Sequence, residues 1–515
     1  MIPSGSHHMI RLSKSRILLH RQCPKRLWLQ VHCPELAEEG ADTFARMSTG
    51  TEVGELARTL HPDGILIDAD DLSKALADTR RALQLGGRPI FEATLEAEGV
   101  LVRADLLLPE SDGYRMVEVK SSTAVKPYHL EDAAVQTWVA ERAGVAVTRT
   151  EIAHIDNSFV YPGGGDYRGL FALADIGAEV RSLLPAIPAW IHAARTTLAG
   201  SEPMIVAGAQ CNDPFPCPFI GHCSPAPDDE GFPPEILPRG GAVAAQLRAE
   251  GHADLRTVPE GRLTHPRHLR VWRATRSGKA ELDLEARAEL VDLPYPRFYL
   301  DFETIGFAIP KWAGTRPYRQ VPFQWSCHVE VEPDHLLHLS FLADGTGDPR
   351  RAFAKALLAA LDPGLLEQRC AESGLPHPAA VAGPIFVYSV GFERGRMLEL
   401  AQHFPDIAPA LYAAIERLVD LLPIAREHYY HPDMRGSWSI KDVLPTIAPH
   451  LAYDDLEVAD GVMAQETYAE ILDPETTVER RGHLRDALLE YCERDTLAMV
   501  ELVRFFEQRG TKETE

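Results

Sequence analysis

The chain has 515 residues, 45% hydrophobic and 25% charged, and its 52 lysines and arginines against 75 aspartates and glutamates give a formal net charge of −23. That length accommodates two to four domains of ordinary soluble globular composition, and no apolar run approaches a membrane span or a secretion signal. The acidic balance excludes a protein coated in basic surface, but not a nucleic-acid binder, which needs only a local basic track.

Met1–His8, MIPSGSHH, reads as a tag remnant, with Met9 the expected native start. Ser13–His32 is apolar-periodic and predicts a helix interrupted near Cys23-Pro24. Over Arg11–Arg26, Arg11, Lys14, Arg16, Arg21, Lys25 and Arg26 follow one another with no acid, a candidate nucleic-acid track or a solvated helix face. Ala41–Leu60, which carries Glu52 and Glu55, and Asp70–Leu85 predict helices, with a turn and short strand at Pro62–Ile67 between them. Strands are expected at Pro89–Leu95, Gly99–Leu108 and Tyr114–Ser121, the last two joined by the turn ESDG. A helix over His129–Gly144 contains Gln136; strand Val145–His154 and one long helix, Ile176–Leu198, follow.

The stretch LVRADLLLPESDGYRMVEVKSS carries Asp105 on one strand and Glu118 and Lys120 on the next. Period 2 puts Glu118 and Lys120 on one face, and a hairpin brings Asp105 to them. Two carboxylates and a lysine suit metal-dependent phosphodiester hydrolysis, the acids holding Mg²⁺ or Mn²⁺ and the lysine orienting water. A surface hairpin with a salt bridge is the plain alternative. Cys211, Cys217 and Cys223 form one short run, and Cys23 lies far upstream. Four thiolates suit a [4Fe–4S] cluster or structural zinc, and the five-residue spacings favour the cluster.

Ser224–Pro238 is Pro-rich and acidic, a linker signature. Gly240–Glu289 is helical and polar, too small for a large core of its own, with a hairpin-like segment around Gly251. Its run from Arg256 to Lys279, including Arg267, Arg270 and Arg273, is a second basic track. From Pro296 a second sheet is expected: RFYLDFETIGF, FQWSCHVEV and LLHLSFLA, then helix Pro349–Leu361, strand Pro384–Ser389, helices Arg394–Phe404 and Ile407–Leu422, a loop at His450–Val458 and a closing helix Gly482–Gln508. Asp301 and Glu303 interrupt an apolar strand on one face, which is costly unless they are paired or bind metal. Tyr491 and Asp495 share a helix face at i, i+4. Glu393 opens a helix after a strand, with Asp420 its rival as a further acid.

CPKRLWL near the start, RAD and EVKSS in the middle, Gln136 on the following helix and the late cysteine run resemble the RecB-type nucleases, particularly the AddB group and those of CRISPR adaptation. The resemblance implies a restriction-endonuclease-like PD-(D/E)xK domain over 10–226 tied by a [4Fe–4S] cluster on Cys23, Cys211, Cys217 and Cys223. In it Asp105 and Glu118 hold metal, Lys120 is the catalytic lysine and Gln136 supports the site. Where CRISPR-type members place a histidine ligand this chain has Gly54, leaving Glu55 or Glu52 as the substitute. The DxE pair, a middle acid after an aromatic residue and YxxxD resemble DnaQ-type DEDDy 3′–5′ exonucleases. That implies an RNase H-like mixed-sheet domain over 291–510, with Asp301, Glu303, Glu393 and Asp495 holding two metal ions and Tyr491 orienting water. The family's middle motif ends in aspartate; here it ends in Glu393. GSWSIKDVLP resembles the segment that places a lysine, Lys441, near such sites. The whole arrangement, an α/β chain with a helical linker region over 227–290, resembles a bacterial family of fused RecB-like nucleases carrying a DUF2779 domain. The implied activity is hydrolysis of DNA, single-stranded or end-bearing, in a bacterial cytoplasm, in repair, recombination or defence, with the basic residues Arg21, Lys25, Arg26, Arg267, Arg270, Arg273 and Lys441 guiding the strand. Two alternatives stay open beside it: one active half with the other a DNA-binding scaffold, and an RNA-processing exonuclease. A non-catalytic zinc-stabilised interaction protein is a remoter third.

Overall fold

The computed structural model describes residues 11–38, 41–224, 231–345, 347–379, 382–453 and 455–509. The expected tag remnant and native start lie outside them, as does part of the Pro-rich segment. The chain forms two compact units: Met1–Ala226 together with Phe307–Tyr318, and Pro227–Gly306 together with Arg319–Glu515. Among the described residues no helix is long and apolar enough to cross a membrane.

Unit 1 runs β1 (Leu12–Ser13), α1 (Lys14–Gln22), α2 (Pro24–His32), α3 (Ala41–Thr59), β2 (Ile65–Leu66), α4 (Leu72–Leu85), β3 (Ile90–Ala97), β4 (Val100–Glu110), β5 (Gly113–Lys120), α5 (Pro127–Arg142), β6 (Val147–Ile155), β7 (Phe171–Asp175), α6 (Gly177–Leu183), α7 (Ile187–Ala199) and α8 (Ile220–Cys223). The strands pair in the order β2-β3-β4-β5-β6-β7, with β1 also on β4. Since β3 covers one edge of β4 from Val100 to Leu107, β5 and β1 must share the other. β5 follows that edge from Glu110 down to Leu106 and then leaves it; β1 takes it up at Val100 and Leu101. A fork opens between them, and α1 begins there. α5 crosses from β5 to the parallel strand β6 and is buried along almost its whole middle, Ala133–Ala140. A helix buried all round must pair its polar side chains internally.

Two differences from the sequence reading have local causes. The long helix expected at Ile176–Leu198 is broken by a 3₁₀ turn at Leu184–Ala186, where Pro185 removes a backbone donor. β7 is a short edge strand on β6 that carried no alternation long enough to read. Phe307–Tyr318 joins this unit through backbone: Tyr161 N–H donates to Thr315 O at 3.0 Å and Gly314 N–H to Tyr161 O at 2.8 Å. Ala308 is buried with Val53, Ile155 and Leu170.

Unit 2 runs α9 (Gly241–Ala249), α10 (Pro266–Ser277), β8 (Glu281–Leu282), α11 (Glu285–Leu290), β9 (Arg297–Ile305), β10 (Val321–Glu332), β11 (His335–Leu342), α12 (Arg350–Ala360), α13 (Pro363–Glu372), β12 (Ile385–Val387), α14 (Gly391–His403), α15 (Ala408–Ile415), β13 (Leu418–Asp420), α16 (Leu421–His428), β14 (Tyr429–Tyr430), α17 (Ile440–Ile447), α18 (Gly461–Leu472) and α19 (Val478–Arg509). Its main sheet has the order β11-β10-β9-β12-β13: the first three antiparallel, β12 and β13 parallel to β9. β9 is therefore central and covered on both faces; along it only Asp301 is less than fully buried. The region read as a polar helical linker shares one core with the sheet: Leu247, Val271 and Trp272 pack in the same cluster as Tyr299, Met499 and Phe506. The helix expected at Ile407–Leu422 ends at Ile415, and Leu418–Asp420 instead pairs with β12 as a strand. α13 and α18 were not foreseen.

Candidate functional site

In unit 1 the fork between β1 and β5 gathers charge. Past Val117 the strand β5 has no partner on β4, and Val119 N–H donates instead to Asp105 Oδ2 at 2.7 Å. Glu118, 3% exposed, accepts at one oxygen from Lys120 Nζ (2.7 Å) and Lys14 Nζ (2.9 Å), and at the other from Gln136 Nε2 (2.5 Å). Asp132, one turn before Gln136 on α5, takes the same two lysines, Lys120 at 2.5 Å and Lys14 at 2.8 Å. Two lysines and two carboxylates thus form a closed square, with Asp105 beside it. Burial opposes every charge here. Asp105 is pushed up to about 8 by burial and then by Glu118. Burial also works against the Asp132 carboxylate, but Lys14 and Lys120 outweigh it and hold the group well below the usual carboxylate range. Both lysines are held above their ordinary value, because Glu118 and Asp132 outweigh the same burial cost. His129, wholly buried, is pushed down to about 4 by burial and by Lys120 and is neutral at pH 7.

Asp105, Glu118, Lys120 and Gln136 are therefore neighbours. Glu55 is not brought to them: it is exposed on α3 and its ion-pair partner is Arg58 at 3.7 Å. Glu52 is exposed as well. Asp132 and Lys14 were missed as site residues. The i, i+4 spacing of Asp132 and Gln136 was the available signal.

Cys23, Cys211, Cys217 and Cys223 line one pocket. Burial pushes the Cys217 and Cys223 thiols up, and the other cysteines add to it. Cys23 caps the C-terminus of α1, and the preceding Gln22 donates to Gln210 O (2.8 Å) and Phe215 O (2.7 Å) of the cysteine loop. Arg26 lies in the same pocket with its Nε buried and without a hydrogen-bond partner. Among the described residues no three of the sulfurs come within 4.8 Å of one another.

In unit 2, ligand oxygens of Asp301, Glu303 and Asp495 all lie within 4.8 Å of one another. β9 supplies the first two on one face, and α19 packs across it to supply the third. Glu393, in the first turn of α14 at the carboxyl end of β12, is 1% exposed and its Oε2 has no hydrogen-bond partner. All four acids are pushed up, first by burial: Glu303 to about 8, then by Asp495; Glu393 to about 8, also by Asp420; Asp301 well above its ordinary range, then by Asp495, Glu303 and Glu393; Asp495 in the same direction. Asp495 accepts from Tyr453 OH at 2.5 Å and also from Tyr491. Lys441 Nζ donates to Tyr491 OH (3.1 Å) and to Ala459 O (2.6 Å). Both tyrosines are driven far above their ordinary value by burial and by Asp495 and stay protonated. Asp420 is occupied otherwise: it caps α16 and accepts from Ser389, Val390 and Leu422 N–H at 2.9–3.1 Å. Tyr453 was not foreseen.

The basic-track residues are mostly paired. Arg21 is bidentate to Glu131, Lys25 pairs with Glu202 at 2.8 Å, Arg267 with Glu427 at 2.5 Å and Arg273 with Glu281 at 2.6 Å. Arg270 is more buried and donates to Arg426 O. Exposed pairs of this kind contribute roughly 0–1 kcal/mol and open readily.

Residues 298–439 match the family described as a domain of unknown function, DUF2779, so that domain is present in unit 2. Over 248 residues the chain is 25% identical to the "Uncharacterized protein UU173" of Ureaplasma parvum serovar 3, an overlap of 45% of this chain and 33% of that protein. The chain thus matches about a third of that relative's length.

Proposed function

We propose that the protein is a metal-dependent nuclease that hydrolyses DNA phosphodiester bonds at two sites, a PD-(D/E)xK site in unit 1 and a DEDDy exonuclease site in unit 2. The observation that carries the reading is the unit 2 acid cluster. The partly buried Asp301 and the buried Glu303 and Asp495 have oxygens within 4.8 Å of one another, and the buried Glu393 beside them has an oxygen without a partner. Such a group is costly unless protonated or matched by cations. Asp301, Glu303, Glu393 and Asp495 would hold Mg²⁺ or Mn²⁺, which lowers the pKa of bound water and offsets charge on a transferring phosphate. Tyr491, protonated and fixed between Lys441 and Asp495, orients the attacking water. The strand order, with the first strand central between the second and fourth, supports a DnaQ-like fold. In unit 1 the parallel β5–β6 pair with its crossover helix α5 supports the endonuclease-like reading. There Asp105 and Glu118 are the metal ligands, Lys120 faces the phosphate and Gln136 fixes Glu118.

The four cysteines fit a [4Fe–4S] cluster better than zinc. Thiolates about 2.3 Å from a tetrahedral zinc stand about 3.8 Å apart, closer than any three of these sulfurs approach. The unpartnered Arg26 Nε beside them suits an anionic group. A second reading has unit 2 active alone and unit 1 a DNA-binding scaffold. It is favoured by Lys14 and Lys120 already neutralising Glu118 and Asp132. The test is anaerobic purification, iron and zinc analysis, and Mn²⁺ and Mg²⁺ assays on end-labelled single- and double-stranded DNA and RNA. Divalent-dependent DNA cleavage lost in part by Asp301→Asn and in part by Lys120→Ala is expected. Loss by Asp301→Asn alone favours the second reading, faster RNA cleavage moves the substrate class, and no cleavage ends the proposal.

A further inference from the structure

The square of charges in unit 1 contains two residues that the D…ExK pattern does not include. Lys14 reaches both Glu118 (2.9 Å) and Asp132 (2.8 Å), and its side chain is only 19% exposed. It is placed with care. The two residues before it form β1 and pair with Val100 and Leu101, Ser13 Oγ accepts from Arg16 N–H to start α1, and Gln22 ties the far end of that helix to the cysteine loop. Lys14, Lys120 and Asp132 also line an open cleft of about 810 Å³, whose walls include Arg21 and the edge-to-face pair Tyr128 and Phe215, 4.8 Å apart. That volume is within the range of ligand sites, about 300–1,000 Å³. Because they line an open cleft, both lysines are within reach of an anion that enters it.

We propose that Lys14 and Asp132 complete the hydrolytic site of unit 1, an inference that rests on the nuclease reading of that unit. Lys14 is a second catalytic cation: it donates to a non-bridging oxygen of the scissile phosphate beside Lys120. Asp132 is a positioning residue that keeps both ammonium groups at the fork when Glu118 turns from them toward a cation. In the step itself a water oxygen forms the new bond to phosphorus, the bond to the leaving oxygen breaks, and that oxygen departs with a proton. Two ammonium groups meet the charge that grows on the phosphate oxygens. The aromatic pair across the cleft offers a stacking surface to a base of a single strand.

The experiment uses the full chain with Asp301→Asn to silence unit 2, Mn²⁺, and an end-labelled single-stranded oligonucleotide. Lys14→Ala is expected to lower kcat by about 100-fold with KM changed less than threefold, as for a lost electrostatic donor. Lys14→Arg should recover part of the rate. Mn²⁺ affinity should rise in Lys14→Ala, since the lysine competes for Glu118, and a thermal melt checks that the variant is folded. Asp132→Asn should lower kcat and shift the rate's pH profile. Cleavage by the Asp301→Asn protein with Lys14→Ala rates and Mn²⁺ affinity within threefold of it would overturn the proposal alone. No Mn²⁺-dependent cleavage by the Asp301→Asn protein would overturn the reading of unit 1 and the proposal with it.

Discussion

Both units bury acids, but they balance them differently. In unit 1, Glu118 and Asp132 are met by Lys14 and Lys120 within hydrogen-bond reach, and Asp105 beside them accepts from Val119 N–H. In unit 2, the lysine beside the four acids, Lys441, spends its hydrogen bonds on Tyr491 and Ala459. In the first cluster two lysines match two carboxylates, and Asp105 is the acid left over, pushed up to about 8 by burial and by Glu118. In the second, burial first and, for all but Asp495, neighbouring acids as well push the four carboxyls up, so they must bind protons or a cation. A carboxylate cluster thus indicates a cation in proportion to what is missing around it.

The largest expected effect breaks the pair apart. Asp301→Asn should abolish unit 2 cleavage by about 10³-fold or more and leave unit 1 cleavage intact, and Lys120→Ala the reverse; product ladders from end-labelled DNA separate the two. Next, Cys217→Ser should remove iron from the purified protein, seen by metal analysis and loss of brown colour. It should also lower the melting temperature of unit 1 by about 10 °C, because Cys23 and the late cysteines then no longer close a long loop.

On the acid side the pH dependence should differ in sign between the units. Glu303 and Glu393, pushed up to about 8, contribute stability that is complete below the unfolded carboxyl value and lost as pH rises through about 8. In EDTA, unit 2 should therefore lose roughly 5 °C or more between pH 5 and pH 8.5, and Mn²⁺ should restore it. Asp132 is depressed, so its contribution is complete above the unfolded value and is lost as pH falls toward and below it. Asp105, pushed up to about 8, works the other way in unit 1, so the acid-side loss should vanish in Asp132→Asn. Calorimetry from pH 3 to pH 9 with and without Mn²⁺ reads both; an Mn²⁺ shift of the unit 2 transition that survives Asp301→Asn with Asp495→Asn would refute the contrast. The smallest effect is Ser13→Ala, which removes the cap of α1 at a cost of about 1 kcal/mol, or 2–4 °C.

Much of this was legible in local pattern. The break at Cys23-Pro24, the hairpin carrying Asp105 and Glu118, the acidic strand of Asp301 and Glu303 and the closing helix with Tyr491 and Asp495 all follow from periodicity, turn residues and spacing. Lys14 and Asp132 were illegible for a physical reason. Lys14 looks like one more charge in a basic run, and only the fork where β5 leaves β4 turns it inward. Asp132 looks like a surface acid until the sheet buries α5 on every side. Leu418–Asp420 read as helix because a three-residue strand has too few residues to show a period, and its partner β12 overrides local preference. Glu55 fitted a spacing, but its helix turns that side chain to solvent.

The membership of Phe307–Tyr318 in unit 1 has a consequence for synthesis. The main body of that unit has been made by Ala226, yet Tyr161 and Tyr167 take their backbone partners from a segment that ends at Tyr318, 318 − 226 = 92 residues later. At about 5–20 residues per second, a ribosome needs roughly 5–20 s to deliver it. During that interval the surface around Val53, Ile155 and Leu170 waits without Ala308. A chain cut at Ala226 would leave it so for good, and each half assayed alone in that way would be judged on an unfinished first half.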